Sequence, residues 1–301
     1  MTRRRVLERH RHSLTEIRDI MNSMRTLAHI EVRKLARLAD AQNTVVHSIE
    51  DVAADFLGFH PETLTEANEV SAVYLLIGTE RGFCGDFNHA LLEYLESVLS
   101  AQKTDHGGLI AIGHKLHVLL EKNPHVAAFI DGASVGEDVP VILNQMVREL
   151  TAFQDQYGAV TVHGLYHSGE GGIVMQELLP PFQNYLHQPP CFSHPPMLNQ
   201  SPPEFLGELL DHYLFAALHQ MLYASLMAEN RRRVVHLEGA VKHLDDRSAE
   251  LSRQCNALRQ EEIIEEIEVI LLSEASVDES WRKRNSSIIA DCTSDTALSE
   301  S

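Results

Sequence analysis

Apolar positions recur at every third or fourth residue through the first part of the chain: Met21, Met24, Ala28, Val32, Leu35, Leu38, Gln42, Val45, Ile49, Val52 and Phe56, with Gln42 the one polar member. This spacing puts one stripe along a helix, and its steps of three and four are those of a seam between paired helices. No proline interrupts residues 1–60, so a single helix is predicted there. The spacing returns near the other end, where Leu237, Val241, Leu244, Ser248, Leu251, Cys255 and Leu258 alternate steps of four and three. The second helical stretch begins just after Pro202 and Pro203 and reaches about Ala275 without a proline. At about 1.5 Å per residue, its ~72 residues would extend on the order of 108 Å. Helices of globular domains average only about 11–12 residues, so a length of this kind implies a rod. Two seams from opposite ends of one chain pair only if the chain turns back between them, which predicts a long antiparallel coiled coil.

Between the rods the period changes. "SAVYLLIG" (71–78), "GGLIAIG" (107–113), "VAAFI" (126–130) and "AVTVHGLYHS" (159–168) are short apolar, β-rich runs, and "GIVMQELLP" (172–180) offers a fifth. They alternate with helical patterns at 87–102, 114–123 and 141–158, the signature of an α/β domain on a largely parallel sheet. A stretch with eight of the eleven prolines, 180–203, then leads back to the second rod. The expected fold is therefore of mixed α+β and α/β class: a coiled coil of the terminal helices plus a central Rossmann-like α/β domain. The expected boundaries are an N-terminal coiled-coil helix at 1–60, an α/β domain at 71–185, a proline-rich connection at 186–203 and a C-terminal coiled-coil helix at 204–276. A polar tail at 277–301 is expected to be disordered.

Charge sharpens this picture. The net charge of −18 is divided between +5 over residues 1–40 and −23 over the remainder. A basic strip on an acidic protein suits nucleic acid, anionic lipid or an acidic protein surface, and charge alone does not choose among them. The absence of aromatic residues before Phe56 disfavours single-stranded nucleic acid. No run approaches the roughly 18 apolar residues of a membrane span, and "MTRRRVLERHRHS" lacks the apolar segment of a secretory signal. Four scattered cysteines, Cys84, Cys191, Cys255 and Cys292, form no CxxC pair and fit a reducing compartment.

The stretch "IGTERGFCGDFN" (77–88) raises the question of chemistry. A phosphate loop needs a Gly-Lys-Ser/Thr ending and a dinucleotide loop needs GxGxxG, and the spacing of Gly78, Gly82 and Gly85 fits neither. Cys84 as a nucleophile would need a base that the sequence does not single out. The glycines are read instead as allowing a tight turn, after which Asp86 or Asn88 caps a helix starting near His89. His114 with His117 and His163 with His167 have no supporting cysteine or carboxylate framework for a metal. Glu261, Glu262, Glu265, Glu266 and Glu268 are read as a solvated helix face. No cofactor is implied.

Five segments, in order, resemble one family. "TERGFCGDFN" (79–88) resembles the SDRGLCGGFN loop of the gamma subunits of F-type ATP synthases; "NSMRTLA" (22–28) is similar to their KAMKMVA and "AIGHKL" (111–116) to (A/V)xGxKG. "QELLP" (176–180) resembles a segment before their return connection, and "CNALRQEEIIEEI" (255–267) their (Y)NRARQxxITxEI. The resemblance spans roughly residues 13–275. It implies a non-catalytic central shaft whose terminal helices turn inside the hexamer of alpha and beta subunits. It also implies an α/β foot bound to an epsilon-type subunit and the membrane c-ring. Ion flow would turn the ring and the shaft with it. By the same resemblance, Arg259 and Gln260, with Asn256 one turn earlier, contact the catalytic subunits, and Met24 and Arg25 fall at family seam and basic positions. The protein is then expected to sit peripherally on the cytoplasmic side of a prokaryotic inner membrane, with no membrane insertion and no nucleic acid partner. Three departures stand out: Asp86 and Leu116 replace family glycines, and Glu31 replaces a lysine. Two readings from other classes remain: an enzyme binding a small ligand near Gly82–Asn88 at the carboxyl ends of the strands, and a free coiled-coil scaffold.

Overall fold

The fold was analysed in a computed structural model, which describes residues 3–64, 72–101, 106–158, 160–169, 172–186 and 192–295, with side chains at these positions except 101, 106, 107, 157 and 273–295. In chain order its elements are α1 (Arg3–Phe59), β1 (Ala72–Ile77), α2 (Phe87–Ala101), β2 (His106–Ile112), α3 (His114–Leu120), β3 (Val126–Ile130), α4 (Val139–Tyr157), β4 (Thr161–His167), β5 (Ile173–Leu179) and α5 (Pro202–Asp295). Helix α1 stops one residue short of the His60–Pro61 step, because a residue before proline is pushed out of the helical region. Helix α5 opens on the sequence Ser-Pro-Pro-Glu. The prolines occupy the first turn, where their missing N–H is not needed, and the Glu204 carboxylate accepts from the Ser201 N–H at 3.1 Å and its hydroxyl at 2.7 Å.

The five strands form one sheet in the order β3-β2-β1-β4-β5. The first four are parallel; β5 is antiparallel to β4, so the sheet is mixed at one edge. Residues 73, 75 and 77 of β1 face one core with Ile110, Ile112, α4 and parts of α1 and α5, while Tyr74 and Leu76 face α2 and α3. Burial on both faces explains why β1 reads as an unbroken apolar run.

The chain divides into two compact units, Met21–Ala240 and Met1–Ile20 together with Val241–Ser301. Within the first, Gln42 donates to the Ala216 carbonyl at 3.0 Å, Gln220 to Asn43 at 2.8 Å, and Arg25 stands 4.0 Å from Glu238. Within the second, Arg18 pairs with Asp245 at 3.4 Å, Arg11 donates to Ser252 at 3.4 Å and Arg4 pairs with Glu262 at 3.0 Å. In each unit the earlier part of α1 meets the later part of α5, as Arg25 with Glu238 against Gln42 and Asn43 with 216 and 220, so the two helices pair in antiparallel order.

The expected seam of α5 is buried or half-buried at all seven positions. On α1 it shifts by one residue. Leu38, Val45 and Val52 are exposed, and Ala39, Val46 and Ala53 are buried, so the inward row runs 28, 32, 35, 39, 42, 46, 49, 53, 56. The expected row takes two successive steps of three, from 32 to 35 to 38, whereas the observed one alternates four and three strictly. Alanine is small enough to lie in the closest contact, and a count weighted toward large side chains passes over it. A second difference is at the C-terminus. The backbone continues helical through Asp295, where a disordered tail was expected from 277, and no proline there ends it. Residues 187–191 of the proline-rich connection and 296–301 of the tail lie outside the described residues.

Leu116, one of the family departures, is fully buried, and a Cβ added at Gly78 would lie 2.7 Å from both Leu116 Cβ and Asn88 Oδ1. Gly78→Ala should therefore destabilise the full chain by about 1–3 kcal/mol through overpacking, as read from the midpoint of urea unfolding; an unchanged midpoint would show that this approach is not tight.

Candidate functional site at the carboxyl edge of the sheet

Strand order reverses between β1 and β4, and the loop 78–86 leaves β1 at that point. Open α/β sheets bind ligands in this crevice, commonly on loop amides. Here the loop's polar groups are engaged by the protein itself. Asn88 does not cap α2. It is buried, accepts from the Thr79 N–H at 3.0 Å and donates to the Thr79 hydroxyl at 2.9 Å. Helix α2 starts at Phe87, two residues earlier than expected, with the Asp86 carbonyl accepting its first bond. The Asp86 side chain is exposed, 3.4 Å from Arg232. The positive φ that the turn needs falls on Gly85 (64°) and, unusually for a residue with a side chain, on Phe83 (66°). Asp86 lies outside these positions, so the turn does not require a glycine there. Gly82 has no such constraint, and its carbonyl matters instead.

Three carboxylates are aimed into this edge. Glu80 accepts from the Gly132 N–H at 2.7 Å and the His114 N–H at 2.9 Å, joining the loops that follow β1, β2 and β3. Glu31, on α1, accepts from the Gly136 N–H at 2.7 Å, while Lys34 pairs with Glu137 beside it. Glu229, on α5, accepts from the N–H groups of Glu80 and Arg81, each at 3.4 Å, and forms a close ion pair with Arg233 one turn on. Arg233 also donates to the Gly82 carbonyl at 3.2 Å and to Asn230 at 2.7 Å, and its guanidinium lies 3.7 Å from the Cys84 sulfur. Ser225, one turn before Glu229, donates to the Ile77 carbonyl at 3.3 Å. On α5 the positions 221, 225, 229, 233 and 237 form one buried stripe, apolar at both ends and polar where it crosses the loop.

Electrostatics follow from this burial. Loss of hydration pushes the Glu229 carboxyl up to about 7, against the opposing pull of Arg233 and the two amides. Burial, with the Glu229 charge, pushes the Cys84 thiol up to about 12, so at neutral pH it is a protonated, inert group rather than a nucleophile. Among the described residues no three histidine, cysteine or acidic side chains gather as a metal site. His117 stacks on Phe129, His163 on Tyr74, and His167 on Phe87, whose carbonyl it meets at 3.0 Å. Nor is any helix among the described residues long and apolar enough to cross a membrane.

The residues singled out by sequence fall in two places. Met24 lines a cavity of about 200 Å³ with Glu31, Arg81 and Arg233, and Arg25 lies on the same helix facing Glu238. Asn256, Arg259 and Gln260 are exposed on α5 in the other unit. Glu80, Glu229 and Arg233 were not singled out. The signal was available: a glutamate and an arginine four apart sit inside an apolar stripe between Met221 and Leu237.

The family described as ATP synthase matches residues 3–276 of this chain. The chain belongs to that family. It is 25% identical over 282 residues to the ATP synthase gamma chain of Ruminococcus albus, covering 89% of this chain and 96% of the relative. To the ATP synthase gamma chain of Clostridium perfringens it is 23% identical over 292 residues, covering 88% and 95%. A chain in the OSCP/F1/c-ring structure of the Euglena gracilis mitochondrial ATP synthase, in rotational state 3, has the same fold: TM-score 0.60, 16% identity, covering 91% of this chain and 94% of that one. Within the family frame, the amide groups that a ligand-binding α/β protein would offer are here occupied by side-chain carboxylates.

Removing one member of a buried ion pair strands the other. Arg233→Ala should cost about 3–5 kcal/mol in chemical unfolding, and adding Glu229→Met to an Arg233→Met chain should recover much of the loss. A cost below about 1 kcal/mol for Arg233→Ala would mean that the pair is not desolvated.

The sign of the pH effect is also fixed. Because the folded carboxyl titrates above its ordinary 4.5, the native state holds its proton more tightly, and this contribution to stability is full below pH 4.5 and fades as pH rises through about 7. Glu229→Gln should flatten the stability profile between those values; an unchanged slope would assign it to another group.

Proposed function

We propose that this chain is the central-stalk rotor subunit of an F-type ATP synthase, coupling ion translocation through a membrane ring to ATP synthesis or hydrolysis in a catalytic hexamer by rotation. The observation that carries it is the antiparallel order of the α1 and α5 pairs, in a chain that belongs to the ATP synthase family over residues 3–276. On this reading α1 and α5 form an antiparallel coiled coil surrounded by alpha and beta subunits. The α/β domain contacts an epsilon-type subunit and the c-ring, and the chain holds no catalytic site of its own. It works peripherally, on the cytoplasmic face of a prokaryotic inner membrane. Asn256, Arg259 and Gln260, exposed on α5, are assigned to contact with the hexamer, and Met24 and Arg25 to the same coupling path.

An affinity-tagged chain purified from its source cell should bring down an ATP-hydrolysing hexamer at one copy per complex; recovery of the chain alone would overturn the assignment. In such a complex, Arg259→Ala with Gln260→Ala should lower ATPase turnover severalfold and leave the helical signal of the isolated chain unchanged. Parental turnover would remove both residues from the coupling path.

A further inference from the structure

Each of the carboxylates at the sheet edge ties one element to another. Glu229 joins α5 to the loop after β1, Glu31 joins α1 to the turn after β3, and Glu80 joins the loops after β1, β2 and β3 to one another. Helices α1 and α5 are thus each anchored to the α/β domain by a side chain that accepts backbone N–H groups, and the two anchored loops are themselves linked through Glu80. Arg233 completes the α5 anchor by binding the Gly82 carbonyl and the Glu229 carboxylate together.

Apolar contact alone would hold these parts together but would fix their rotation weakly. Hydrophobic attraction is non-directional and scales with the area removed from water, so two apolar surfaces slip past one another at little cost while area is kept. Hydrogen-bonded charges in a desolvated site behave oppositely: a displacement of about one ångström leaves donors and acceptors unpaired where water does not replace them. The pair is nearly sealed, with side-chain exposure of 6% for Arg233 and 4% for Glu229.

We infer that Glu229 with Arg233, Glu31 and Glu80 form a rotational key, a set of positioning residues that fixes α1 and α5 against the α/β domain so that torque passes between them without slip. This rests on the rotor assignment above and names the residues that carry the load within Met21–Ala240. The key belongs to a different unit of the chain from Asn256, Arg259 and Gln260, and it acts on coupling rather than on contact with the catalytic subunits.

The test uses the assembled, membrane-bound complex in inverted vesicles, with ATP hydrolysis and ATP-driven ion uptake measured side by side. Glu229→Met combined with Arg233→Met keeps side-chain volume and removes the directional bonds. Hydrolysis should stay within twofold of the parent while uptake per ATP falls at least threefold. A second measurement is amide exchange of residues 78–86 in the full-length chain, which should quicken at least tenfold in the double variant. If the variant assembles and pumps at the parental ratio, packing suffices and the key is refuted, whatever its melting temperature. Should it not assemble, Glu31→Met decides, since that residue lies at the edge of the core and methionine offers the Gly136 N–H no comparable acceptor: a ratio at least halved supports the key, and a parental ratio overturns it. These outcomes separate from failure of the rotor assignment, which would appear earlier as a chain that brings down no hexamer.

Discussion

A carboxylate taken out of water must find donors, and the placement of Glu229 shows how much of this structure that requirement organises. Its oxygens meet two consecutive loop amides and the Arg233 guanidinium, so the loop after β1 is held in the one shape that presents those amides inward. The same guanidinium reaches the Gly82 carbonyl and passes the Cys84 sulfur, so loop, thiol and helix are ordered by one ion pair. Without Glu229 the loop amides would lose their acceptor, and α5 would carry Arg233 as an unpaired charge in its apolar stripe. The strain at Phe83, held at a φ of 66°, is tolerable because the residues around it are fixed from several sides.

The same geometry explains how an α/β domain comes to serve a mechanical role. Strand order creates a crevice at the β1/β4 boundary whatever the protein does, and backbone N–H groups converge there. In a nucleotide-binding relative of this architecture those groups would meet phosphate. Here Glu80, Glu31 and Glu229 supply negative charge from within the chain, and two of the three arrive on α1 and α5. The fold's ligand-binding edge has become the place where the terminal helices are attached.

Much of this was legible in sequence, for identifiable reasons. Strands announced themselves because β1 and β2 are buried on both faces, and the α5 seam because its buried positions carry mostly Leu and Val. The seam of α1 was misplaced by one residue because its contacts are made by Ala39 and Ala53, whose small side chains give little hydropathic signal but permit close approach. Asn88 looked like a helix cap, a local role suggested by its neighbours, yet it serves Thr79 nine residues earlier. What the anchoring carboxylates bind was not legible for a related reason. Their partners are backbone amides, which every residue carries, so no residue type at the other end marks the pairing.

The three departures that the sequence resemblance implies each have a local structural setting. Leu116, in place of glycine, fills space over Gly78, so a side chain at one position is matched by its absence at the other. Asp86 sits outside the positive-φ positions, which Gly85 and Phe83 hold, and its charge faces Arg232 at the surface. Glu31 is the departure with the largest consequence. A lysine there has no acceptor to offer the Gly136 N–H, whereas glutamate accepts from it at 2.7 Å and lies beside Lys34, which pairs in turn with Glu137. A charge reversal that would cost a contact if it faced an acidic partner has here been turned inward, where it ties α1 to the domain it precedes.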